Sequence, residues 1–245
     1  MNFLSLLVIV LLGSSIKAYS EICQVSLKEI SNINNQGPYI GIVVPNAFEL
    51  KPLLQSSSFV PHNKFPYFDF AGNANSKFQI GDVTIPQYWA HTGLWHWQRF
   101  GEDDGDFSRE FGYLEFSNYN NNTKHFKSVE NLLNKNVELN SCVNKTCLPR
   151  KAIVVRVKKG VSANVIVDNK AYRNHLNSKF DATPTDMESA AVALVCYQHK
   201  IPFIAIRALS DLAGGGSALT NEVSIFLSLA SQNSFDVLVK FISLL

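Results

Sequence analysis

Charge is scarce in this 245-residue chain: Asp, Glu, Lys and Arg make up 17% of it and sum to +2 at neutral pH. Removing Lys17 with an N-terminal leader lowers that to +1. Neither value creates a field that draws in nucleic acid or an anionic membrane. Cysteine is scarce as well, at four residues. No second cysteine pair and no spaced histidines accompany Cys142 and Cys147, which argues against a zinc site. Neither Ser162, Ser189 nor Ser210 sits in a Gly-x-Ser-x-Gly turn, and no lysine follows the glycines at 214–216. Nucleophile-elbow hydrolases and P-loop phosphate binders are therefore unsupported. Internal repeats and low-complexity tracts are absent.

What is present fits one globular domain. At 46% hydrophobic residues the chain has enough apolar surface for a single core. The first twenty residues, MNFLSLLVIVLLGSSIKAYS, hold an apolar block too short to span a bilayer, then a small-residue exit at Ala18-Tyr19-Ser20. This pattern predicts a signal peptide over 1–20, cut after Ala18 or Ser20, and one domain over 21–245; an uncleaved anchor or a buried strand is the alternative. Secretion agrees with the glycosylation sequons at Asn121 and Asn144. Four cysteines allow three pairings if all are bridged. Cys142 and Cys147 enclose four residues of a polar loop, and an oxidising compartment is expected to close them. Cys196 lies on an apolar segment, as a small buried hydrophobe does.

Hydrophobic periodicity predicts an α/β domain: a three-layer arrangement of helices around a mixed, mainly parallel sheet. Strands are expected at Tyr39–Val44, Ile80–Pro86, Ala152–Val157, Ala163–Val167 and Phe203–Leu209. Helices are expected at 47–55, 126–133, 170–180, 185–199 and 222–244, with a loop-rich stretch over 103–122. Tyr88–Phe100 (YWAHTGLWHWQRF) suits either an interface or ordinary core packing. In such folds ligands lie beyond the carboxyl ends of strands. Glu49 follows the first strand, Asp186 and Glu188 open the helix at 185, and Ser210 and Asp211 end the last strand. Each acid also has a structural reading. Thr185-x-x-Glu188 matches a capping box, Asp211 before the glycines matches a turn former, and Glu49 suits a solvated helix face.

Taken together these segments resemble a known family. DMESAAVALVCYQHKIPFIAIRALSD is similar to the signature of the nucleoside phosphorylase and nucleosidase superfamily, a Met-Glu helix start followed by a strand ending Arg-x-x-Ser-Asp. AGNANSKFQIGDVTIP and IGIVVPNAFEL resemble its glycine turn with the Ile-Gly-Asp-Val strand and its first strand with acid. Within the superfamily the likeness leans to the secreted plant branch of bark and vegetative storage proteins. The resemblance implies cleavage of the N-glycosidic bond of purine-type nucleosides, to free base and ribose or ribose 1-phosphate, or else a nitrogen-storage glycoprotein that keeps the fold without turnover. It implies catalytic roles for Asp211, which protonates the purine, and for Glu49, which positions the attacking water in the hydrolytic branch. Glu188 would accept from the ribose hydroxyls, Met187 would pack beneath the sugar, and Ser210 would orient Asp211. Ala71 and Gly72 would let backbone approach the ligand, Val165 and Ile166 would cover the base, and Asp186 would join the substrate-binding group. No metal or organic cofactor is implied; phosphate is a co-substrate only in the phosphorylase case. A homo-oligomer in the secretory pathway or vacuole, with a nucleoside as partner and neither nucleic acid nor membrane, completes the expectation.

One departure stands out. Only sixteen residues, 55–70, separate the first helix from the Ala71-Gly72 turn. A parallel crossover unit needs about 30, so an internal strand-helix segment near residue 70 is expected to be missing, leaving unpaired strand edges and no phosphate loop.

Overall fold

A computed structural model describes residues 42–44, 47–56, 69–95, 111–117, 124–135, 137–200, 202–215 and 222–245. The expected signal peptide, Cys23 and the Asn121 sequon lie outside the described residues. In chain order come α1 (Ala47–Gln55), β1 (Asp69–Asn73), β2 (Val83–Trp95), β3 (Phe111–Ser117) and α2 (Lys124–Leu133). A small hairpin follows, β4 (Cys142–Val143) with β5 (Thr146–Cys147), closed by a disulfide between Cys142 and Cys147. Then come β6 (Val154–Ser162), α3 (Lys170–Phe180), β7 (Ala182–Asp186), α4 (Ser189–Gln198), β8 (Arg207–Leu212) and α5 (Glu222–Ile242).

Among the described residues six strands form one mixed sheet in the order β3-β2-β6-β7-β1-β8. The β2–β6, β6–β7 and β1–β8 pairings are parallel; β2–β3, β1–β7 and β2–β8 are antiparallel. Helices flank this sheet. The main core joins Leu53 of α1, Val129 and Leu132 of α2, Val83 and Ile85 of β2, and Phe235, Val237 and Phe241 of α5. α5 is long and apolar enough over Ile225–Ile242 to cross a bilayer by composition, yet it serves as a core helix, with Phe226, Leu229, Ala230 and Phe241 almost fully buried.

Several elements differ from their sequence expectations, each for a physical reason. No strand forms at Ala163–Val167, because β6 loses its neighbour where Ser162 pairs with Asp186, the last residue of β7. Residues 203–206 are extended without ladder partners, so the last strand begins at Arg207. β2 does not stop at Pro86 but continues against β6 to His91 and against β3 to Trp95. β3 emerges from the stretch expected to be loop. Of the aromatic run, Trp89 is fully buried while Tyr88 is 40% exposed, so Trp89 serves the core; residues 96–100 lie outside the described set.

Residues 57–68, where the crossover unit is expected to be missing, lie outside the described residues. The open edge expected of a shortened sheet is nevertheless absent at β8, which turns back onto β2 through the Val83–Ala208 and Thr84–Arg207 pairs. An unpaired strand inside the fold would leave orphaned backbone groups, and this second pairing satisfies them.

The Ile-Gly-Asp-Val motif proves to be the anchor of β2. Gly81 adopts a left-handed φ of 82°, and a Cβ there would stand 2.8 Å from Leu148 and from Leu229. Its N–H donates to Leu209 O at 2.7 Å, and Leu209 N–H donates to Asp82 O at 2.9 Å. The Asp82 carboxylate is fully buried and accepts from Gln79 N (3.0 Å), Ile153 N (3.1 Å) and both terminal nitrogens of Arg150 (2.9 and 2.5 Å). One side chain thus ties the turn, the start of β2 and the approach to β6. Arg150 is 41% exposed and finds water once its partner is gone, so the cost of Asp82→Ala comes from the stranded N–H groups of Gln79 and Ile153: about 1–3 kcal/mol, read as a fall in Tm of about 2–12 °C for a domain of this size.

Candidate active site

The site is built on a row of residues that crosses four strands. Val161 of β6 pairs with Thr185 of β7, Thr185 with Gly72 of β1, and Gly72 with Asp211 of β8. A register shift between Ala71 and Gly72 advances β8 by one residue, which brings Asp211 rather than Ser210 opposite Gly72. Gly72 is held close: a Cβ would lie 3.3 Å from Ala213 Cβ and Thr185 Cγ2, and 3.7 Å from Asp211 Oδ1. A side chain here would press on Ala213 and Thr185, so glycine is what the close approach of the three strands admits.

Ser210 donates its hydroxyl to Asp211 Oδ1 at 2.6 Å, with a longer contact to Ala71 O at 3.3 Å. Burial pushes the Asp211 carboxyl above the usual carboxylate range. The Ser210 hydrogen bond works against that rise, and the Asp168 carboxylate adds to it. Asp168 ends the loop that carries Val165 and Ile166, which are 52% and 76% exposed. That loop and the turn after Asp211 are packed together. A Cβ on Gly214 would strike the Asn169 and Lys170 backbone, and Arg173 donates to Ala213 O and Gly215 O at 2.8 and 2.7 Å.

Asp186, expected among the substrate-binding residues, is turned inward. It is 8% exposed and its two oxygens are occupied by internal donors. Oδ1 accepts from the Ser162 hydroxyl and from Ser189 N (3.2 Å); Oδ2 accepts from the Ser189 hydroxyl (2.5 Å) and Arg207 Nε (2.9 Å). Ser162 Oγ in turn accepts from Trp89 Nε1 (2.6 Å) and Ala190 N (3.0 Å), and the Arg207 guanidinium lies 5.8 Å from the Trp89 ring centre. Asp186 and Ser162 therefore satisfy the first free N–H groups of α4.

This changes the reading of the helix start. α4 begins at Ser189, and Thr185 belongs to β7, so no Thr185–Glu188 capping box forms. Glu188 occupies the N-cap position without a side-chain cap bond; its Oε2 accepts from Met187 N at 3.2 Å. Met187 is 43% exposed and Glu188 half-buried. The corner bearing both is pinned at its two ends by Asp186 and Ser189.

The carboxyl-end rule places Glu188 and Asp211 on one sheet edge, but the strands that carry them run in opposite directions. β7 runs antiparallel to β1, which is parallel to β8. Met187 and Glu188 therefore leave the sheet in the direction opposite to Asp211, with only β1 and its Ala71-Gly72 pair between the two strands. Strand spacing and rise put the two backbones on the order of 12 Å apart. Glu49 lies on α1, but its side chain is outside the described residues. Sequence reasoning missed Asp168, Ser162 and Arg207. Arg207 was visible as the first residue of the Arg-x-x-Ser-Asp motif; Ser162 had no local signal.

Two measurements check this geometry. Removing one partner of the buried ion pair strands the other, whereas replacing both with apolar groups does not. Asp186→Leu alone is expected to lower Tm more than the double variant Asp186→Leu/Arg207→Met. For Asp211 the folded protein holds its proton more tightly than the unfolded chain, so stability from this group falls as pH rises out of the ordinary carboxylate range. Asp211→Asn is accordingly expected to raise Tm at pH 7 and to lose that advantage as pH is lowered through 4, in thermal melts across a pH series.

Comparison with known proteins identifies the family. The family model described as Phosphorylase superfamily matches residues 67–243. Bark storage protein A of Populus deltoides is 31% identical over 205 residues, covering 72% of this chain and 64% of that protein. The 5'-methylthioadenosine/S-adenosylhomocysteine nucleosidase of Geobacillus sp. (strain WCH70) is 31% identical over 176 residues, covering 71% of this chain and 66% of that one. The chain thus spans about two thirds of the length of the curated relatives it matches. In fold it is similar to the nucleosidase of Colwellia psychrerythraea solved in complex with adenine, with TM-score 0.52 and 19% identity over 72% of this chain and 64% of that chain. The mixed sheet, its flanking helices and the 67–243 match together establish that the chain belongs to the phosphorylase superfamily.

Proposed function

We propose that this protein binds purine-type nucleosides over β1 and cleaves their N-glycosidic bond. The observation that carries the reading is Asp211: a carboxyl whose proton affinity is raised by burial, oriented by Ser210 and set opposite Gly72 of β1. A nucleoside loses its base through a sugar cation. The C1′–N bond breaks with both electrons going to the base, and a proton delivered to a ring nitrogen neutralises it. Asp211 supplies that proton, a form of help worth about 10²–10⁴-fold. Glu188, on its pinned corner, accepts hydrogen bonds from the ribose hydroxyls, with Met187 against the sugar and the Val165-Ile166 loop over the base. The cation is captured by water, which gives ribose and returns a proton to solvent. In the phosphorylase case phosphate takes its place and gives ribose 1-phosphate. The nucleosidase relative supports water; Glu49 is the acid that would orient it. The product protein enters the secretory pathway and assembles as a homo-oligomer.

A second reading has its own support in the bark storage proteins, whose names describe storage rather than turnover. In that reading the fold persists as an asparagine-rich nitrogen reserve.

Incubating the full chain with adenosine-, inosine- and cytokinin-type nucleosides, with and without phosphate, separates the two. Release of free base that falls about 10²–10⁴-fold in Asp211→Asn is the expected result. A cooperative melt with no base released from any nucleoside would leave the storage reading in its place. Phosphate dependence of the sugar product identifies the nucleophile.

A further inference from the structure

The hairpin β4–β5 carries a feature that the nucleoside site does not use. Its six residues, Cys142-Val143-Asn144-Lys145-Thr146-Cys147, contain a complete glycosylation sequon inside a disulfide ring. Cys142 pairs with Cys147 and Val143 with Thr146, leaving Asn144 and Lys145 as the two-residue corner. Asn144 takes a left-handed φ of 54°, which asparagine tolerates better than most residues. Asn144, Lys145 and Thr146 are all exposed. The base of the hairpin is anchored: Leu148 packs with Ile80, Phe226 and Leu229, Leu148 N donates to Ser141 O at 2.7 Å, and Asn233 of α5 bonds both the N–H and the carbonyl of Asn140.

A glycan on this tip faces solvent and disturbs no core contact. Attaching it is a different matter. A transferase must surround three consecutive residues and present the asparagine amide and the threonine hydroxyl together, which needs a segment free to leave its pairing. Once closed, the ring holds the Cα atoms of Cys142 and Cys147 3.9 Å apart. The same five-residue separation reaches about 17 Å in an extended chain. The folded ring cannot open that far without breaking the S–S bond.

We infer that Asn144 is an N-glycosylation site whose use is gated by the Cys142–Cys147 disulfide: sugar is added only while the two thiols are still free. In the addition, Asn144 Nδ2 forms a bond to C1 of an oligosaccharide and loses a proton to a base of the transferase. The C1–O bond to the lipid diphosphate carrier breaks, and the carrier leaves with the electron pair. In the competing step the two thiols give two electrons and two protons to a disulfide-bearing oxidoreductase, and the S–S bond forms. Whichever reaction comes first at this hairpin decides whether the mature chain carries the glycan, because closure blocks the transferase whereas a glycan on the exposed tip does not block closure.

The inference rests on the secretory route proposed above, and the test separates the two. The full chain is translated into microsomes behind a leader from an unrelated secreted protein, so that translocation is assured whatever its own first twenty residues do. Occupancy at Asn144 is read as the mass increment left when the glycan is removed enzymatically in heavy-oxygen water, with Asn121 as an internal control. The expected result is partial occupancy at Asn144 that rises several-fold in Cys142→Ser/Cys147→Ser, while Asn121 is unchanged. A reducing agent present during translation of the parent chain is expected to give the same rise, which removes any dependence on how the variant folds. Equal occupancy with and without the disulfide, or none at Asn144 under reducing translation, overturns the inference.

Discussion

The buried pair between Asp186 and Arg207 is the constraint on which the rest of the structure turns. It joins the end of β7 to the start of β8, two strands separated by β1, and it reaches β6 and β2 through Ser162 and Trp89. Two charges out of water are costly unless every donor and acceptor finds a partner. Here Ser162, Ser189 and backbone N–H groups of α4 supply the partners, so the pair, the helix cap and the sheet are satisfied together or not at all. The consequence reaches the site directly. Met187 and Glu188 form the short corner that leaves this cluster, and their placement follows from it.

Asp211 presents the opposite electrostatic arrangement. Where Asp186 is surrounded by donors, Asp211 is buried with one hydroxyl for support and another carboxylate, Asp168, nearby. Burial with so little support makes Asp211 favour its proton. Two acids of the same type, on strands that flank β1, are thus set to different tasks by what surrounds them.

Much of the architecture was legible from local pattern. The amphipathic repeat of α5, the polar N-terminal turn of α3 with Asn169 as its cap, and the β-branched run of β6 each carry a period or a cap that needs no distant partner to be recognised. The elements that escaped are those made by pairing. β7 is five buried residues, Ala-Thr-Pro-Thr-Asp, with no apolar alternation, and it is a strand because β6 and β1 lie on either side. β1 straddles the Asp69–Asn73 junction for the same reason, and β8 meets β2 only because the sheet brings them round.

The chain by itself determined its α/β class and most of its helices, the presence of Glu188, Asp211, Ser210 and the Ala71-Gly72 pair, and through them the family to which it belongs. Those are properties of residue type and short spacing, which local chemistry reads without a fold. Tertiary structure alone decided that Asp186 is held by internal donors while Asp211 is buried with little support, that the two acid-bearing strands run in opposite directions, and that Asp82 anchors β2. Hydrogen-bond partners, burial and strand direction arise between residues far apart in the chain, so no local pattern encodes them.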